Sequence, residues 1–362
     1  MKPWLRWALF ALLLVAVIAA LSIYSLGSSP VTPPLGAPAV NAVLPSGDAG
    51  SSAAPSEPAT DGGSTRLLQP FPAGPLREQE VAFQIGVLTL RAPVRRPEAT
   101  LRRLVQREFP QLKVVTRPET EVAPPSVFVS EARLEGLSFR EVTLFGRDLD
   151  HNTRVALTKV RKVLILEFHL LPGSSFDQIR RAHRIAHALG APARAVLFDG
   201  ETREYFSLRE WKQRRIDSWG PTLPLVPLNI SIQTHPVPGG QRTVTYGMAK
   251  FGLPDVLIDR HPAENGRALA TVVNLICQSL VERAALAGEG RLEVEVAALE
   301  EPSVREEMLG LMRGNAAGRV ELPVGLTAPR DRDPQNRLLE LAFDPADPSP
   351  AQQQVIRALF GP

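Results

Sequence analysis

Hydrophobic positions run almost without a break from Trp7 to Leu26, interrupted only by Ser22 and Ser25, and then thin out until the chain has passed Pro75. Beyond Leu76 they return at the two periods that mark folded structure. Positions 80–90 alternate as a strand with Val81, Phe83, Ile85 and Val87 on one face, and 97–109 reads as a helix with Pro97 early and Pro110 ending it. Further strands are expected at 127–129, 139–145 and 163–170. Ser175 and Gln178 form a capping box for a helix to Leu189, with Gly190 as a left-handed stop. A strand over 195–198 meets the turn signal Asp199-Gly200, and the return strand ends at Ser207, which with Glu210 caps a helix to about Arg215.

The rest follows the same grammar. Positions 229–234 and 242–248 read as a hairpin across Gly239-Gly240. A helix over 265–286 has an apolar stripe of Leu269, Val273, Ile276, Leu280 and Ala284, with Cys277 on it. A strand follows at 292–296, then a helix capped by Ser303 with Glu306 to about Arg313, and strands at 320–326 and 337–343. The last helix has Ser349 as cap, Pro350 at its first position and Gly361 as its end. Helices mixed with hairpins imply an α+β fold rather than a regular parallel α/β sheet.

The apolar run of 7–26 is about 30 Å long as a helix, enough to cross a bilayer core. Lys2 and Arg6 precede it and no cation follows until Arg66, so the N-terminus is expected in the cytosol and everything after Gly27 outside. A cleaved signal peptide, with Ala16, Ala19 and Ala20 near its cleavage site, is the competing reading. The run continues through Leu21, Ile23, Tyr24 and Leu26, which favours a retained anchor. No cysteine ends it to take a lipid. Segment 28–75, rich in Pro, Ser, Ala and Gly, has too little apolar content to fold and reads as a disordered tether. The expected organisation is an anchor at 1–27, a linker at 28–75, an N-terminal α+β lobe at 76–160 and a C-terminal α+β lobe at 161–362.

Composition narrows the function mainly by exclusion. Net charge is +3, with 41 basic and 38 acidic residues interspersed, which disfavours nucleic acid as a partner. Cys277 is the only cysteine, so no intramolecular disulfide supports the fold. Abundant Ala, Arg and Pro with little Lys suggests a bacterial chain, which would place the folded part outside the inner membrane.

No Walker loop, dinucleotide glycine pattern, calcium loop or Gly-x-Ser-x-Gly elbow occurs, and no cofactor is expected. His183 and His187 lie four apart on one helix, and Glu167 and His169 share one face of the preceding strand, so these four are the candidate metal group. Arg184 stands where a zinc protease needs Glu, so that pattern is absent and structural histidines are the simpler reading. Cys277 sits mid-helix on an apolar stripe, as inert buried thiols do.

Two phrases stand out. TYGMAKFGLPD (245–255) bends at Gly247, Gly252 and Pro254 and offers Lys250 and Asp255 as ligand or partner contacts, or else is a turn between strands. RDRDPQNRLLE (330–340) is a charged turn in which Arg337 would pair with Asp331 or Asp333 at the surface. With ALGAPARAVLFDGETREYFSLREW, these phrases resemble stretches of an uncharacterised bacterial domain-of-unknown-function family over about 188–343. That resemblance implies a bacterial setting and one intact unit from about residue 160, and assigns no catalytic residue.

The expectation is therefore a single-pass, N-in protein of the bacterial inner membrane. The bilayer is its partner through 7–26, and its outer domain binds an envelope protein or ligand. The alternative is an exported hydrolase or metal-dependent enzyme using Glu167, His169, His183 and His187.

Overall fold

The computed structural model describes residues 69–362, except 91, 117–122, 172–175, 287, 331 and 345–346. The apolar run of 7–26, the tether up to residue 68, the Ser175 cap and Asp331 lie outside the described residues. Among those described, no helix is long and apolar enough to cross a membrane. The fold is α+β.

The described chain forms two compact units. The first holds 77–230 and 247–252, and the second holds 69–76, 231–246 and 253–362. The lobe boundary expected near residue 160 falls inside the first. The earliest strands, β1 (Gln69–Pro70) and β2 (Gly74–Pro75), belong to the second.

The first unit is built on a seven-stranded sheet. Its elements are β3 (Val81–Leu88), α1 (Pro97–Glu108), β4 (Lys113–Val115), β5 (Ser126–Arg133), α2 (Phe139–Phe145), β6 (Gly146–Arg147), α3 (His151–Leu157), β7 (Lys162–Leu170), α4 (Asp177–Gly190), β8 (Val196–Asp199), β9 (Glu204–Phe206) and α5 (Leu208–Lys212). The strand order is β4-β5-β7-β3-β8-β9-β6. Pairing is antiparallel except at the outermost strands, where β4 runs parallel to β5 and β6 parallel to β9. In the register Val81↔Leu170, Phe83↔Phe168 and Ile85↔Leu166, paired apolar residues share a face. Helix α4 covers that face with Ile179, Ala182, Ala186 and Leu189, all fully buried. The opposite face is covered at one end by Val142 of α2 and Leu157 of α3, packed on Leu88, Val163 and Val196.

The second unit adds β10 (Ser231–Val237), β11 (Gly240–Tyr246), β12 (Asp255–His261), α6 (Gly266–Arg283), β13 (Ala285–Leu286), β14 (Arg291–Glu295), α7 (Pro302–Leu311), β15 (Arg319–Thr327), β16 (Leu338–Leu341) and α8 (Ser349–Phe360). Its main sheet runs β1-β15-β16-β12-β11-β10, with β14 on β15 and a separate β2–β13 pair. The hairpin expected across Gly239-Gly240 is present, closed by Val237↔Gly240. Helix α6 is buried along Leu269, Val273, Ile276, Cys277 and Leu280.

Several local expectations are corrected. Positions 139–145, read as a strand, form α2, because Ser138 accepts the Glu141 amide and nucleates a helix. Gly190 is helical, not left-handed, and the left-handed residue is Arg194. A side chain at Gly190 would stand 3.2 Å from Ala195 Cβ and 3.3 Å from Leu197 Cδ2, so close packing explains this glycine. Asp199-Gly200 is not a two-residue turn, since Asp199 pairs with Glu204 across a four-residue loop in which Arg203 is left-handed. Helix α6 stops at Arg283 because Ala284 is left-handed. The cap of α7 is Glu301, not Ser303, because Pro302 already occupies the first turn.

Candidate functional site

The densest polar arrangement lies inside the first unit. After α5, which Ser207 caps by accepting the Glu210 amide, the chain widens into a π-helical turn over Gln213–Asp217. Such turns re-aim single side chains. Here Arg215 is fully buried with its guanidinium planted on β8 and β9. Its Nε donates to Asp199 Oδ2 at 2.9 Å and its Nη2 to Thr202 Oγ1 at 3.2 Å and Glu204 Oε2 at 3.4 Å. It also donates to the Leu228 carbonyl, and the guanidinium lies 4.6 Å from the centroid of the Phe206 ring.

Lys250 reaches the same carboxylate. It sits in a 3-10 turn over Met248–Phe251 flanked by the left-handed Gly247 and Gly252, and its Nζ donates to Asp199 Oδ2 at 2.8 Å. Asp199 further accepts the backbone amides of Glu201 and Thr202. Glu204 takes Arg147 at 2.6 Å, and Arg147 forms the partly exposed rim of the cluster. Three cations therefore meet two carboxylates.

The electrostatics follow from that count. Burial alone would raise the Asp199 carboxyl, but Lys250 and Arg215 outweigh it and hold the group well below the usual carboxylate range. Burial lowers Lys250, and Asp199 opposes the shift. His183 stands beside the cluster on α4, enclosed by Phe83, Trp211 and Trp219, with Nδ1 donating to the Arg215 carbonyl at 3.1 Å. Burial, reinforced by Lys250, lowers it to about 3, so it is a neutral imidazole.

The four residues of the candidate metal group do not come together. Glu167 and His169 form a pair, Oε1 to Nε2 at 2.7 Å, with Gln84 Nε2 on the other carboxylate oxygen. Phe168 between them stacks on Phe83, which meets His183 edge-on. Neighbours along a strand point to opposite faces, so Glu167 and His169 face away from α4 and its histidines. His187 is half-buried, and burial lowers its pKa. Among the described residues no group of three or more His, Cys, Asp or Glu is placed to hold a metal ion.

Lys250 and Asp255, offered together as ligand or partner contacts, fall in different units. Asp255 opens β12 and accepts Thr245 Oγ1 and Asn336 Nδ2, each at 2.8 Å. Asp333, expected to pair with Arg337 at the surface, is buried and bound to Arg242 at 2.6 Å. Arg242 also pairs with Asp259, which takes Arg330, so these charges hold Arg330 and Asp333 on the sheet of the second unit. Arg337 donates to the Leu76 carbonyl. Cys277 is buried in α6, and burial followed by Asp255 pushes its thiol well up, consistent with an inert thiol.

Arg147, Asp199, Glu204 and Arg215 escaped the sequence reading because each has an ordinary local role: a strand end, a turn, a short strand and a helix end. No spacing among them encodes the meeting. No protein-family model, curated protein or solved structure matches the chain.

Proposed function

We propose that this is a membrane-anchored protein whose folded units act outside the cytosol as a binding module of the bacterial envelope. The carrying observation is how the polar chemistry is spent. Asp199 is committed to Arg215 and Lys250, His183 to a backbone carbonyl, Asp255 to Thr245 and Asn336, and Arg242 to Asp333. Groups enclosed and mutually neutralised in this way fix conformation, whereas catalysis requires titratable groups that reach a substrate. The apolar run of 7–26, its preceding cations and the tether supply the anchor side of the reading.

A reporter active only in the cytosol, fused behind residue 75, is expected to stay silent, and a signal overturns the topology. Cross-linking at the envelope is expected to recover a partner of the folded units. Stoichiometric zinc in the purified protein, lost in the His183→Ala, His187→Ala double variant, would overturn the binding-module reading in favour of the enzyme.

A further inference from the structure

Helix α1 and the residues just before it have a strongly basic outer side. Residues 95–108 carry five arginines against two glutamates, while the whole chain is only +3. On α4, by contrast, Arg180 donates to the Ile216 carbonyl and Arg181 pairs with Asp177. Leu101, Leu104 and Val105 turn inward, which leaves Arg102, Arg103 and Arg107 outside. Arg102 and Arg107 are partly neutralised by Glu98 and Glu108. Arg95, Arg96 and Arg103 have no salt bridge among the described residues. With Ala99 and Thr100 these three line an open depression of about 670 Å³.

We propose that this depression docks on the phosphate head groups of an anionic phospholipid bilayer. Guanidinium forks match phosphate oxygens, and clustered arginines near a membrane are drawn to an anionic surface. The chain outside the described residues supplies the proximity. On the anchor reading, a tether over 28–68 has an r.m.s. reach of about 35 Å by the square-root law, which keeps the basic face within range of the bilayer it is fixed to. The proposal takes from that reading the membrane that is met and the proximity to it, and the charged face stands without it.

Two measurements on the full chain test it. The first is flotation with vesicles of phosphatidylcholine alone or mixed equally with phosphatidylglycerol. The second follows an Ala99→Cys variant in the same vesicles by its rate of reaction with a membrane-impermeant maleimide, Cys277 being buried. Flotation with both vesicles is expected, with labelling at least about five-fold slower on the anionic ones, the effect of a single basic contact near a charged surface. The slowing is expected to vanish at about 1 M salt, where the Debye length is about 3 Å, and in the Arg95→Gln, Arg96→Gln, Arg103→Gln variant.

Equal labelling rates on the two vesicles, or slowing that survives the triple variant, overturns the docking face and leaves the anchor standing. Flotation with anionic vesicles only, lost in the triple variant, overturns the anchor and supports the face. Flotation with neither overturns both.

Discussion

The surplus cation in the buried cluster makes a sharp prediction about which of two partners in one ion pair matters more. Replacing Asp199 with Asn leaves Arg215 and Lys250 buried around a neutral amide, with only Glu204 to balance three cations. Breaking a buried pair in this way costs about 3–5 kcal/mol. Replacing Lys250 with Met leaves two cations against two carboxylates. Asp199 then keeps Arg215 and two backbone amides, and the cost of burying the ammonium disappears, so the net effect is expected within about 1 kcal/mol.

Urea unfolding of the full chain in neutral detergent reads both variants. Trp211 and Trp219 are buried in this unit and report its unfolding. With a slope of about 2 kcal/mol per molar urea, Asp199→Asn shifts the midpoint down by roughly 1.5–2.5 M and Lys250→Met by less than about 0.5 M. The double variant is expected to be less damaging than Asp199→Asn alone, since one uncompensated cation has gone. A Lys250→Met shift equal to or larger than that of Asp199→Asn refutes the charge-count argument.

Four further outcomes are expected. His183 is neutral when folded, with a pKa of about 3 against an ordinary 6.5, so its contribution is complete above pH 6.5 and is lost as pH falls towards 3. Unfolding measured between pH 5.5 and 4.5, where the unfolded imidazole is protonated and the folded one is not, should lose about 1.4 kcal/mol per pH unit from this group, and His183→Asn, which keeps a donor to the Arg215 carbonyl, should flatten the slope by that amount. Gly247→Ala forces a side chain onto a residue at φ 112 and within 2.9 Å of Thr202 Cγ2, at a cost of about 1–3 kcal/mol. Gly310→Ala in α7 meets open space and should stabilise by about 0.5–1 kcal/mol in the same urea assay. Ser138→Ala removes the cap of α2 and should lower stability by about 1 kcal/mol. No effect there would return the 139–145 segment to the strand reading.

Elements with local signals were legible in the chain alone: β3, α1, β7, the β10–β11 hairpin, α6 and α8 follow from apolar period within a single segment, although α6 ends at Arg283 rather than 286, and Ser349 is the first residue of α8 rather than its cap. Local failures came where two signals competed. The apolar Val142, Leu144 and Phe145 suggested a strand over 139–145 and hid a Ser-x-x-Glu cap, and Asp199-Gly200 looked like a tight turn although the Asp199 carboxylate serves two distant cations. Packing between elements set what no period encodes. It placed Glu167 and His169 on the sheet face opposite His183, divided Lys250 from Asp255 between two units, and gathered Arg147, Asp199, Glu204, Arg215 and Lys250 from separate elements. Periodicity states that a side chain turns inward, but which partner meets it depends on strand register and on the π turn after α5, both fixed by packing across the whole unit.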